Sequence, residues 1–163
     1  MYLHSTFKFR AYVPLGLFLL VTLLIIYFTK SFIEKPDLPI LAILAFMLLF
    51  LFIWVWLLFG ELRTKAIKLE IHEQEIFVRN YLGFGIRKVY KFSQFDGFET
   101  ALLSTQYGEY EYLYLIKNQK KIIKISQFYH ANYEELKESI SKKCKNLGIK
   151  PFKMSQELKE IFV

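Results

Sequence analysis

The sequence has few of the residues that bind metals or carry out nucleophilic catalysis. It has one cysteine, Cys144, and three histidines, at His4, His72 and His130. One cysteine excludes an intramolecular disulfide and suits a reducing compartment, and no two histidines have the spacing of metal ligands. Phosphate-loop, dinucleotide-binding and nucleophile-elbow motifs are missing too. We therefore expect no enzyme activity, no cofactor and no metal site.

Charged residues are missing altogether from two long stretches near the start of the chain. Ala11–Phe28 and Leu38–Phe59 contain no Asp, Glu, Lys, Arg or His. A membrane-spanning helix needs about 20 apolar residues, and the connection Thr29–Asp37 is too short to be a folded domain. A signal peptide has a shorter apolar region, about 7–15 residues, followed by a cleavage site that this sequence lacks. We expect residues 1–60 to form a transmembrane hairpin, with spans at 11–28 and 38–59.

Basic residues flank the two spans unequally. Lys8 and Arg10 precede the first span and three more basic residues follow the second, whereas the connecting loop has two, accompanied by Glu34 and Asp37. Because basic residues favour the cytoplasmic side, both termini are predicted to be cytoplasmic and the short loop external. The chain is thus expected to be a multi-pass protein of the inner (cytoplasmic) membrane of the cell.

The composition changes after Gly60. The remaining residues hold 18 of the 22 Lys and Arg residues and 13 of the 15 Asp and Glu residues. The charges are interspersed and no base-reading motif is present, which argues against a nucleic-acid partner. We expect one cytoplasmic domain at 61–150 and a short amphipathic tail at 151–163, with apolar residues Leu158, Ile161 and Phe162.

The domain is predicted to be mainly β. Apolar and polar residues alternate over six short segments separated by turn residues, as in strands buried on one face. The segments are 66–72, 76–81, 86–92, 96–104, 110–117 and 121–126. Short connections make an antiparallel meander the simplest topology.

One amphipathic helix is predicted to follow the strands. Asn132 and Glu135 have the spacing of a capping box. Apolar residues then recur at helical spacing, at Tyr133, Leu136, Ile140, Cys144 and Leu147. Gly148 and Pro151 indicate its end, and we expect its apolar stripe to cover an open end of the sheet.

Three stretches of the domain carry a resemblance. They are Ile67–Tyr81, Tyr90–Phe98, and Ile123–Phe128 running into Asn132–Leu136. Antiparallel strands closed by a C-terminal helix, behind membrane spans, resemble the bacterial pleckstrin-homology-like (PH-like) membrane proteins. The resemblance implies a bent, partly open barrel of seven strands capped by the helix, acting as a scaffolding or interaction module. Only six strands are visible here, which suggests that a seventh is either split or hidden, with 94–104 as the candidate segment.

Basic residues near the spans and on the first strands are candidate contacts for anionic lipid headgroups. They are Arg63, Lys65, Lys68, Arg79, Arg87, Lys88 and Lys91. In the phosphoinositide-binding relatives of this fold, basic residues cluster on the first hairpin. Here three glutamates separate Lys68 from Arg79, which argues against a specific inositol-phosphate site.

Three functions remain open on the sequence. The first is a membrane-anchored PH-like domain that binds a protein partner, at an edge of its sheet. The second is a small membrane accessory or immunity subunit whose hairpin packs against a larger membrane partner. The third is a regulator that binds anionic lipid.

Overall fold

Two long apolar helices dominate the first part of the chain. The computed structural model describes residues 2–34, 39–106 and 108–152. In it, α1 (Val13–Glu34) follows a 3-10 turn at Phe9–Tyr12, and α2 (Ile40–Val55) continues as a π-helical segment, Trp56–Leu62. Both are long and apolar enough to cross a membrane. Only 17% and 6% of their most apolar windows are buried within the protein, so neither is a core helix of the β domain.

The two helices pack through aromatic rings and one polar contact. The Trp54 indole N–H donates to Thr22 Oγ1 at 3.1 Å, and the Trp54 ring lies 5.1 Å from that of Phe18. Nearer the other end, Phe28 stacks on Phe50 with centroids 5.6 Å apart. In apolar surroundings an unpaired indole N–H is costly, so the Trp54–Thr22 bond helps to fix how the helices align.

Eight strands and a third helix form the rest of the described chain. In order they are β1 (Leu3–His4), β2 (Lys68–Ile71), β3 (Glu75–Arg79), β4 (Lys88–Lys91), β5 (Gly97–Thr105), β6 (Gly108–Lys117), β7 (Lys120–Ser126), α3 (Tyr133–Ser141) and β8 (Asn146–Ile149). They form two four-stranded sheets, ordered β1-β2-β3-β4 and β7-β6-β5-β8. All neighbours are antiparallel except β5 and β8, which are parallel.

All six strands predicted from alternation are present as β2 to β7, with small shifts at their ends. They do not form one continuous meander, because the chain leaves the first sheet through a 3-10 turn at Phe92–Gln94 and starts the second at Gly97. The hidden strand sought within 94–104 was a wrong prediction, since β5 occupies that segment without a break. The two extra strands, β1 and β8, are elsewhere.

The third helix is shorter than its apolar pattern predicts. It ends at Ser141, so Cys144 and Leu147 lie beyond it and the segment Asn146–Ile149 is a strand. The first part of the stripe behaves as expected: the side chains of Tyr133, Leu136 and Ile140 are buried in the main core, with residues from both sheets.

The edge of β5 explains why the helix ends early. The Phe98 N–H donates to the Lys145 carbonyl oxygen at 2.9 Å, and the Lys150 N–H donates to that of Thr100 at 2.8 Å. Because Phe98 and Thr100 are buried, their backbone groups need partners that solvent cannot supply. A continued helix would leave this edge unpaired, and a strand satisfies it.

Some predicted features fall on residues outside the described ranges. These are the tail residues Leu158, Ile161 and Phe162, and Lys35 and Asp37 in the connection between the helices.

The close approach of β8 to Gly97 gives a test of this edge. A Cβ at Gly97 would overlap the Lys145 carbonyl oxygen and lie 2.8 Å from Leu147 Cγ, and Gly97 has a φ of +154°. Gly148 in β8 also has a positive φ, +96°, but a Cβ there would meet nothing within 4 Å. We expect Gly148→Ala to lower the free energy of unfolding by about 1–2 kcal/mol through backbone strain. We expect Gly97→Ala to lower the free energy of unfolding by about 1–3 kcal/mol more than Gly148→Ala does, because its Cβ would overlap neighbouring atoms.

Urea unfolding of the full chain in detergent micelles, followed by near-ultraviolet circular dichroism, measures both variants. Equal losses in the two variants would show that β8 does not press on Gly97.

Candidate functional site

The residues before the first apolar helix are part of the β domain. The Ser5 N–H donates to the Leu69 carbonyl oxygen at 2.8 Å, and the Leu69 N–H donates to Ser5 Oγ at 2.8 Å. The Lys8 N–H donates to the Tyr129 carbonyl oxygen at 2.8 Å. The segment before α1 therefore lies against Leu69 and Tyr129. The second apolar helix leads into β2 at the same end of the domain, beside Lys68, and we call this the hairpin end.

Asn132 fastens the N-terminal segment to the domain. Its Oδ1 accepts a hydrogen bond from the Thr6 N–H at 2.9 Å, and its Nδ2 donates to the His4 carbonyl oxygen at 2.9 Å. The side chain makes no capping bond to α3, so the predicted capping box is wrong. An amide side chain has both a donor and an acceptor, and here both are used by a segment more than a hundred residues away in sequence.

A carboxylate at the end of the second apolar helix holds the other side of the junction. Glu61 accepts a hydrogen bond from the Tyr129 hydroxyl at 2.6 Å and forms an ion pair with Lys65 at 2.7 Å. The Glu61 and Lys65 side chains are only 17% and 15% exposed, so solvent screens the pair little. Burial raises the pKa of Tyr129, and the Glu61 charge raises it further. The phenol therefore remains a proton donor throughout the physiological range.

His130 joins three segments at the centre of the junction. Its side chain is fully buried, Nδ1 lies 2.9 Å from the Ser126 carbonyl oxygen, and Nε2 lies 2.9 Å from that of Ile67. The ring of Phe7 packs 5.3 Å away, and Phe7 also forms a β-bridge with His130. Burial, opposed in part by the two carbonyl contacts, lowers the pKa of the imidazole. The histidine thus has a packing role and is not exposed for catalysis.

The basic residues predicted to face lipid do not form one cluster. Lys68 and Arg79 pair in register at the hairpin end of the first sheet, and Lys88 begins β4 at the same end. Arg63 immediately follows the second apolar helix. Lys91 lies at the opposite end of β4. The fold thus brings four of these residues towards the hairpin end and directs one away.

Two other predicted residues already have protein partners. Lys65 is held by Glu61, as described above. Arg87 forms an ion pair with Glu70 at 3.4 Å, and its guanidinium lies 4.0 Å from the centre of the Phe77 ring. Because the Arg87 side chain is 44% exposed, this ion pair is weak and remains open to headgroups.

The junction residues were missed by sequence reasoning. Ser5, Tyr129 and Glu61 look ordinary in sequence, because the partners of their side chains are 64 or 68 positions away. One signal was present in the sequence. Leu3 and Phe7 are apolar residues that precede the first predicted span, and both pack against the domain.

The described residues offer little that suggests catalysis. Within 2–34, 39–106 and 108–152, no three His, Cys, Asp or Glu side chains come together as a metal site requires. Burial raises the pKa of the Cys144 thiol to about 11, so the thiolate is scarce at neutral pH. A cleft of about 470 Å³ beside β5 and β8 is lined by charges of both signs, including Asp96, Glu99, Lys121 and Lys150. Such a lining favours no particular class of ligand.

Comparison with known proteins adds no family to this description. No protein-family model, no curated protein and no solved structure matches the chain. Its function has to be inferred from its own geometry.

The Glu61–Tyr129 contact can be tested by removing one oxygen atom. We expect Tyr129→Phe to lower the free energy of unfolding by about 1.5–3 kcal/mol, because a buried carboxylate loses a hydrogen-bond donor. Tyr110→Phe is the matched control, since its hydroxyl accepts a bond from exposed Arg10. The control should change stability by less than about 0.5 kcal/mol.

Thermal unfolding of the full chain in micelles measures both tyrosine variants. If Tyr129→Phe is as stable as Tyr110→Phe, the Glu61 contact does not hold the junction together.

Proposed function

We propose that this chain is an integral membrane protein whose helical hairpin anchors a PH-like domain at the cytoplasmic face of a bacterial inner membrane. There the domain serves as a protein-interaction or scaffolding module and not as an enzyme. The observation that carries the proposal is the junction: both ends of the apolar hairpin are bonded to one end of the β domain. A domain joined in this way is held at a fixed height and orientation beside the bilayer.

The arrangement of strands supports the PH-like part of the proposal. Two antiparallel groups of three consecutive strands, β2–β4 and β5–β7, enclose a core into which α3 packs. Strands around one core with a packed helix support the layout that the resemblance implies, although the described strands number eight and form two sheets, with β1 and β8 at sheet edges. The additions cover the edges of β2 and β5, so the outer strands are β1 and β4 in one sheet and β7 and β8 in the other.

β4 is the edge at which we propose that a partner docks. Its residues are mostly exposed, and Val89 is 49% exposed. In an antiparallel pair, the N–H groups of every second residue point towards the partner strand. The Phe92 N–H points towards the β3 side, because it donates to the Gln74 carbonyl oxygen. The N–H of Val89 therefore points away from β3, towards a strand that adds to the edge. Lys91, at the end of β4 away from the hairpin, favours a partner strand with an acidic side chain there.

The edge can be blocked without disturbing the sheet. Val89→Pro removes only the outward N–H, and proline is tolerated on edge strands. Val89→Ala keeps that N–H and serves as the matched control. In crosslinking of the full-length protein in its native membrane, we expect Val89→Ala to retain the wild-type crosslinked partner and Val89→Pro to lose it about tenfold.

If Val89→Pro retains its partner, the β4 edge is not the docking site. If the partner is also retained when the whole β domain is replaced, the hairpin carries the specificity, as in a membrane accessory subunit.

Orientation is tested separately by labelling single cysteines in a Cys144→Ser background. We expect a cysteine at exposed Lys142 to be protected from a membrane-impermeant maleimide in intact cells. A cysteine at Lys30, near the far end of α1, should react. Labelling of position 142 from outside would overturn the cytoplasmic placement.

A further inference from the structure

One loop of the first sheet lies beside the end of the second apolar helix. Residues 80–87 join β3 to β4, and within this loop the Leu82 N–H donates to the Ala66 carbonyl oxygen at 2.6 Å. The Ala66 N–H in turn donates to the Glu61 carbonyl oxygen at 3.2 Å. The loop is therefore attached within about one turn of the helix end, at the height where a headgroup layer about 5–8 Å thick would begin.

The loop has a fixed backbone and an apolar surface. The Gly83 and Gly85 N–H groups both donate to the Asn80 carbonyl oxygen, at 3.1 and 2.9 Å. Between and after these glycines, Phe84 and Ile86 are each 87% exposed. Turns usually expose polar residues. Two large apolar side chains exposed on an ordered turn therefore indicate a surface that binds a protein or a membrane.

The charged residues in the chain on either side of the loop are all basic. Residues 76–95 contain Arg79, Arg87, Lys88 and Lys91 and no Asp or Glu. Lys88 is exposed beside the loop, and Arg87 is only partly engaged by Glu70. Anionic headgroups attract basic residues held near them, by about 1 kcal/mol each. An apolar tip with a basic margin is the pattern of a segment that enters the interfacial layer of a membrane.

We propose that the 80–87 loop is a membrane-docking loop, in which Phe84 and Ile86 insert into the headgroup–acyl boundary of the bilayer while Lys88 contacts anionic headgroups. The inference rests on the proposed insertion of the hairpin in that bilayer. A lipid surface is favoured over a protein partner because the loop is at the hairpin end, where the bilayer already lies. The loop would add a third point of contact beside the two helices and so fix the tilt of the domain.

Tryptophan fluorescence tests the loop and the hairpin separately. The native tryptophans, Trp54 and Trp56, both lie in the second apolar helix. The full-length protein is reconstituted in phosphatidylglycerol-containing vesicles with acyl chains brominated near the headgroup. Quenching of the wild-type protein reports the hairpin. The loop is then probed in a Trp54→Phe, Trp56→Phe background that carries Phe84→Trp or, in a second variant, Ile86→Trp.

Gln74→Trp in the same background is the matched control, because it is exposed in the β2–β3 turn at the opposite end of the sheet. We expect the loop tryptophans to be quenched about twofold more than the control and to emit at shorter wavelength, as for residues buried about 5–10 Å into the interface.

The outcomes separate the two proposals. If the wild-type tryptophans are quenched but the tryptophans at positions 84 and 86 behave like the one at position 74, the loop does not enter the bilayer and only this inference falls. If the wild-type tryptophans are not quenched, the hairpin is not in the bilayer and both proposals fall.

Discussion

An antiparallel helical hairpin returns the chain to the side from which it left, and the whole domain is organised around that constraint. The segments before α1 and after α2 must both begin at one end of the β domain, and each needs partners there for its backbone groups. On one side, the backbone N–H groups of Ser5 and Lys8 donate to the domain. On the other side, the Glu61 carboxylate accepts a hydrogen bond from the Tyr129 hydroxyl. The result is a rigid joint where a flexible linker would otherwise be expected.

The joint combines buried polar residues, Ser5 and His130, with exposed hydrogen bonds of Asn132. Isolated polar groups are expensive to bury, whereas a fully satisfied set holds one arrangement and penalises others. Asn132 uses both its donor and its acceptor on the N-terminal segment, and Ser5 uses its backbone N–H and its hydroxyl oxygen on Leu69. An apolar joint of the same size would tolerate sliding, and this one does not.

Local patterns predicted most of the fold, and non-local pairing explains what they missed. Alternation located β2 and β3 because each buries one face, as Leu69 and Ile71 do in β2, whereas β6 and β7 are buried on both faces along part of their length. It missed β1, which is two residues long and exists only because β2 offers an edge. It assigned Leu147 to a helix, because apolar spacing does not reveal that β5 needs a partner on its other side. The basic residues of the candidate site were recognisable from sequence, but their separation between the two ends of β4 was not.

The pairing of β1 with β2 has a consequence for how the protein is made. Residues 3–8 are synthesised before the two apolar helices, but their partners, which include Leu69 and the segment around Tyr129, are synthesised after them. At about 5–20 residues per second, these partners are synthesised on the order of ten seconds later. If the hairpin enters a membrane during synthesis, as proposed, it does so while residues 3–8 are still unpaired, and those residues can join the domain only if they have stayed on the same side. In a chain inserted with its N-terminus on the wrong side of the membrane, β1 would be unable to pair with β2, and the first sheet would remain incomplete.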